Sequence, residues 1–201
     1  MRTKNIENLE GFSGVILIPV FETNAKNLVP IEFHGVSVSS KVFFGKKDTY
    51  YVAEKYDCVH IFIGLGKSID YKALKTTFRR IASKEKNTFG KDVVLVIPEI
   101  FTLQQVEATV SGLYLGTYDL GHFKKKDEHP FAKADFELAL LSKTDFFEAA
   151  LRAIKIAKTQ IEILSLVDLP SNLITPTYLS KWAQESGTAY GFTTKVLDGA
   201  A

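Results

Sequence analysis

Cysteine is almost missing from this chain of 201 residues. The one thiol, Cys58, has no partner for an internal disulfide, which excludes a disulfide-stapled scaffold. It predicts a reducing compartment and a buried, inert thiol. Long apolar runs are lacking too. Val15 to Phe21 falls far short of the ~20 residues that a bilayer crossing needs, so no membrane partner is expected. Nor does one sign of charge dominate. With 25 basic and 23 acidic residues the net charge is +2, too balanced to argue a nucleic-acid partner by itself. Met1-Arg2-Thr3-Lys4-Asn5 leads into polar residues rather than into the apolar stretch of a secretion signal. The histidines His34, His60, His122 and His129 include no pair at a metal-ligand spacing. Ser13 and Ser111 stand near glycines without forming a Gly-x-Ser-x-Gly elbow.

What is present is a globular composition, 46% hydrophobic and 24% charged, enough for one sizeable core and a fragment of a second. Gly14 to Phe21 reads as a strand buried on both faces, and Thr49 to Glu54 as a second strand. Asp57 to Ile63, ended by Gly64, and Asp92 to Ile97, stopped by Pro98, are firm strands. Asp135 to Leu141 is another. Helical periodicity covers Asp70 to Lys84, with Leu74, Phe78, Ile81 and Ala82 on one stripe. It recurs over Leu103 to Leu120 and over Asp145 to Leu166. Thr175 reads as the cap of a further helix with Pro176 at its first position, where a missing N–H costs nothing. Strands alternating with helices predict an α/β layered sheet. Gly112 and Gly116, four apart on a helix, are expected to pack against the sheet. The pairs Phe43-Phe44, Tyr50-Tyr51 and Phe146-Phe147 are expected in the core. Lys124-Lys125-Lys126 reads as a solvated loop, since Asp127 and Glu128 follow it.

One segment has two readings. Gly64-Leu65-Gly66-Lys67 follows a buried strand and precedes a helix. Backbone N–H groups at such a turn can cradle a phosphate, with Lys67 adding charge. A full phosphate-loop spacing is not met, because no first glycine lies between Cys58 and Phe62. The other reading is a tight turn in which Gly64 and Gly66 serve the backbone alone, and it is preferred.

Three blocks in order resemble the leucyl aminopeptidase (cytosol aminopeptidase) family. Asp168-Leu169-Pro170-Ser171-Asn172-Leu173-Ile174-Thr175-Pro176-Thr177-Tyr178-Leu179, with Ala183 behind it, is similar to the family's entry to its catalytic domain. Asp168 stands where the family usually has Asn. Thr194 to Asp198 looks like the strand that follows. Ile63-Gly64-Leu65-Gly66-Lys67 and the stretch from Val106 through Gly112 and Gly116 to Lys124 resemble parts of the non-catalytic N-terminal domain, although Ser111 replaces the usual acid. Asn24 to Ser40 matches nothing in the family pattern.

The resemblance implies a macro-domain-like mixed α/β sheet flanked by helices over 1–142, a connecting helix over 143–168, and the start of a catalytic domain, cut short, over 169–201. It implies a parent metallo-exopeptidase that removes N-terminal residues from peptides with a pair of zinc or manganese ions. The family's ligand blocks, of the type Gly-Lys-Gly-x-x-x-Asp-Ser-Gly-Gly and Asn-Thr-Asp-Ala-Glu-Gly-Arg, do not occur here. This chain is therefore expected to carry no catalytic or metal residue and to act in support, in the cytoplasm. Its implied partners are its own catalytic domain and further copies of itself, with DNA a weaker candidate. Macro domains bind ADP-ribose through comparable glycine loops. The alternative function is thus an independent nucleotide or nucleic-acid module binding through Gly64, Gly66 and Lys67.

Overall fold

A computed structural model describes residues 2–23, 29–67, 69–89, 92–118 and 136–197. The chain divides into two compact units, Met1–Ile161 and Glu162–Ala201.

The first unit is built on a six-stranded sheet. Its strands are β1 (Arg2–Ile6), β2 (Gly14–Phe21), β5 (Tyr50–Lys55), β6 (Cys58–Gly66), β7 (Asp92–Val96) and β8 (Glu137–Leu141), in the order β1-β8-β7-β2-β6-β5. All pairings are parallel except that of the edge strand β5 with β6. A separate hairpin, β3 (Ile31–Phe33) and β4 (Val36–Val38), fills part of the stretch that matched nothing in the sequence pattern. Its turn is made by His34 and Gly35, both at positive φ, the conformation that two-residue hairpin turns require.

The apolar runs of β2 and β6 are buried because each strand serves two cores, with side chains alternating between faces. Val15, Leu17, Ile61, Ile63 and Leu65 meet one cluster, to which α1 (Tyr71–Lys84), α2 (Leu103–Leu115) and α3 (Phe147–Val167) contribute Leu74, Phe78, Val106, Leu113, Ala150 and Ile154. Ile16, Ile18, Val20, Cys58 and Phe62 meet a second cluster beneath the hairpin, with Val36, Val38 and Phe43.

Two of these helices, α1 and α2, start on side-chain caps. Asp70 accepts from the Ala73 N–H at 2.8 Å, and Thr102 with Gln105 forms a reciprocal capping box. α2 ends at Leu115 rather than at Leu120, with Gly116 as its cap. Gly112 and Gly116 do not face the sheet as expected. A Cβ on Gly112 would meet the Lys75 carbonyl at 2.5 Å, and one on Gly116 would meet Ala82 Cβ at 2.5 Å, so the two glycines let α1 lie close against α2. The strand expected to end at Gly64 continues to Gly66. The loop of three lysines at 124–126 lies outside the described residues.

The second unit contains the end of α3 and α4 (Pro176–Tyr190). Thr175 caps α4 as its sequence predicts, accepting from the Tyr178 N–H, and Pro176 sits in the first turn. Gly191 closes the helix in the left-handed conformation at φ 76°. Residues 194–197, expected as a strand, are neither helix nor strand, since among the described residues nothing pairs with them in a sheet. Asp198 lies outside the described residues.

Candidate functional site

The glycine segment singled out in the sequence lies at the C-terminal end of β6, the end at which parallel sheets commonly receive ligands. Its backbone donors are engaged by the chain itself. The Gly64 N–H donates to the Thr49 carbonyl at 2.8 Å, and the Gly66 N–H donates to the Gly45 carbonyl at 2.9 Å. The Gly66 carbonyl in turn accepts from the Glu22 N–H at 3.0 Å. A Cβ on Gly64 would overlap the Lys46 carbonyl, and Gly66 holds φ at 72° with Lys47 packed against it. The glycines thus admit the loop through Gly45, Lys46 and Lys47 onto the strand end. Leu65 is buried between them and Lys67 is exposed.

The sequence missed a second cluster. His60, expected half-buried or at the surface, is fully buried on the hairpin face of β6. Its Nε2 lies 3.0 Å from His34 Nδ1 at the hairpin turn, and its Nδ1 has no partner of good hydrogen-bond geometry. Burial, reinforced by His34, holds the His60 imidazole below its ordinary value of 6.5. The Tyr56 and His34 rings meet in a T-shaped arrangement with centroids 5.7 Å apart. Lys55 donates to the Gly35 carbonyl and sits 4.8 Å above the Tyr56 ring. A phenylalanine followed by His-Gly and then a valine was the available signal for the turn. Nothing local pointed to His60 as its partner, because the two histidines are 26 residues apart.

Among the described residues, clefts also open elsewhere in this unit. One, of about 570 Å³, lies at the starting ends of β7 and β8 and carries Glu7, Glu10, Asp92 and Glu137 with Lys4. Lys4 already pairs with Glu137 at 2.5 Å. Another, of about 270 Å³, runs between Tyr50 and α1, where Asp48 binds Arg80 at 2.7 Å. The metal pair of the resembled family does not fit these residues. Among the described residues no group of three or more His, Cys, Asp or Glu is placed to hold an ion. No described helix is long and apolar enough to cross a membrane.

No protein-family model matches this sequence. A probable cytosol aminopeptidase of Treponema denticola is 31% identical over 159 residues, covering 75% of this chain and 33% of that protein. One from a Cyanothece species is 29% identical over 140 residues, covering 67% of this chain and 28% of that one. The chain therefore spans about a third of the length of the curated relatives it matches. Among solved structures, a mutant of tomato leucine aminopeptidase superposes with a TM-score of 0.70 at 16% identity, over 95% of this chain and 43% of that one. The bottromycin maturation enzyme BotP gives 0.72 at 14% identity, over 94% and 40%. A further structure of BotP, in complex with Mn, gives 0.71. The sequence likeness to cytosol aminopeptidases and this shared mixed α/β fold agree, and the chain carries an N-terminal domain of the leucyl aminopeptidase family.

Proposed function

We propose that this chain supplies the supporting, non-catalytic region of a leucyl-aminopeptidase-like metallo-exopeptidase that removes N-terminal residues from peptides. In this reading residues 1–142 form the support, 143–168 connect, and 169–201 open the catalytic domain. The zinc or manganese pair belongs to the catalytic domain. One observation carries the reading: the match covers only about a third of each aminopeptidase, which leaves most of the relative's length to the chemistry. The lack of a metal-ligand group among the described residues is consistent with this division. The partners are the catalytic domain itself and further copies of the protein, assembled through catalytic-domain contacts. The relatives' name, cytosol aminopeptidase, favours a cytoplasmic location.

The nucleotide-binding alternative would need the N–H groups of Gly64 and Gly66. Their bonds to Thr49 and Gly45 favour the structural role instead. Incubating the pure protein with leucyl-p-nitroanilide and zinc or manganese tests the proposal. The expected result is no release above a chelated control, and metal-dependent release would overturn it.

A further inference from the structure

We propose that the His34–His60 contact is a proton-operated latch: one proton between the rings holds the β3–β4 hairpin on the sheet, and a second proton lifts it and unshields Cys58. His34 Nδ1 and His60 Nε2 lie 3.0 Å apart, so the line between them holds one hydrogen. A neutral ring with its hydrogen on the facing nitrogen, His34 Nδ1 or His60 Nε2, donates to the lone pair of the other. A proton on both facing nitrogens would set N–H against N–H and break the bond. The line therefore tolerates one hydrogen and rejects a second, which would leave a charge on the buried His60.

The surroundings do little to accommodate a charge on His60. His60 is fully buried, and Ile16 on β2 and Ala53 on β5 flank it in register. The groups facing the pair from the β5–β6 turn are Lys55 and Tyr56, and Cys58 lies on the same face of β6. Lys55 opposes a charge on His60, as His34 does. Only the backbone near Cys58 and Ala53 favours one, weakly against the burial. On the hairpin itself Glu32 accepts from Ser37 at 3.4 Å at an exposed position. No carboxylate is among the groups that act on His60.

The direction follows from linkage. A buried imidazole that binds its proton less tightly when the hairpin is closed favours closure above about 6.5, the ordinary value. That contribution falls away as the pH drops from there toward the depressed value of the closed form. For one proton the open population rises by at most about tenfold per pH unit within the window. Val36 and Val38 leave the second cluster when the hairpin lifts, and Cys58 belongs to that cluster, its thiol donating to the Phe12 carbonyl at 3.3 Å. The single cysteine is thus a built-in reporter of the latch.

The test measures modification of Cys58 by a methanethiosulfonate reagent between pH 7.5 and 5. Each rate is divided by that of a free-thiol peptide at the same pH, which removes the thiol's own ionisation. Amide exchange in α1 serves as the control for global unfolding. The expected result is a normalised rate that rises as pH falls below about 6.5, by up to about tenfold per unit, with α1 exchange unchanged once intrinsic rates are divided out. His34→Gln should flatten the rise, because a rotatable amide can accept from a protonated His60. His60→Phe should abolish it. A rate flat with pH in the unaltered protein, the same rise in His34→Gln, or a rise matched by α1 would each overturn the latch.

Discussion

The backbone N–H of Gly66 donates to the carbonyl of Gly45 at 2.9 Å, tying the loop that precedes β5 across the end of β6. Gly45 itself holds φ at 79° beneath the Phe21 carbonyl, so the crossing needs glycine on both sides. Gly64→Ala should cost about 1–3 kcal/mol, because the added carbon has only backbone to displace. Gly66→Val should cost about 1–2 kcal/mol or more from its left-handed angles. Lys67→Ala should stay within about 0.5 kcal/mol. Urea midpoints measure all three. Calorimetry with ADP-ribose should give no isotherm, and a Lys67-dependent one would restore the phosphate cradle.

The α1–α2 contact offers a second test. Gly112→Val should lower stability by about 1–3 kcal/mol, since its side chain would push on the Lys75 backbone rather than on a movable side chain. Val106→Ile, which adds a methylene to a fully buried position on the same helix, should also cost about 1–3 kcal/mol. Equal, small effects at both positions would show that the helices separate easily.

Legibility in the sequence followed burial. β2, β6 and β7 announce themselves as continuous apolar runs because both of their faces are covered, and α1 does so through the stripe Leu74, Phe78, Ile81. β1 was invisible. Arg2-Thr3-Lys4-Asn5-Ile6 carries one apolar residue and is a strand only because β8 offers it a partner edge. The hairpin at Ile31–Val38 was equally hidden, since three-residue strands are too short for periodicity to register. Gly64, Gly66 and Lys67 were found by local pattern, but the loop through Gly45 that occupies their N–H groups is remote in sequence. The His34–His60 contact depends on tertiary packing in the same way.

Phe78 is among the large side chains buried completely, facing the sheet from the middle of α1. Phe78→Ala should cost about 3–5 kcal/mol by lost transfer energy and an unfilled cavity. Tyr71, two-fifths exposed at the start of the same helix, should change stability by less than about 1 kcal/mol on truncation. Thermal or denaturant unfolding distinguishes them.

Of the residues of α4, only Gly187 is buried, while Tyr178, Leu179 and Tyr190 stand exposed. Amide exchange in 176–190 should be fast relative to β6 and β7. Thr175→Ala should speed it further, through loss of a cap worth about 1 kcal/mol. Protection equal to that of the central strands would show that the helix is held by contacts beyond its own turn structure.

The pairing of Arg2–Ile6 with Glu137–Leu141 sets a timetable for synthesis. Of the described strands Arg2–Ile6 is made earliest, and its sheet partner among the described residues lies near the other end of the same unit, at elongation rates of about 5–20 residues per second. For those seconds β2, β6 and β7 can meet one another, while the opening strand trails as a free polar ribbon. Its composition suits that wait: Arg2, Lys4 and Asn5 make it a poor seed for aggregation during its exposure. Among the described strands the sheet is completed by the one made last, so a nascent chain halted before Glu137 carries a sheet that lacks both its outer members on that side.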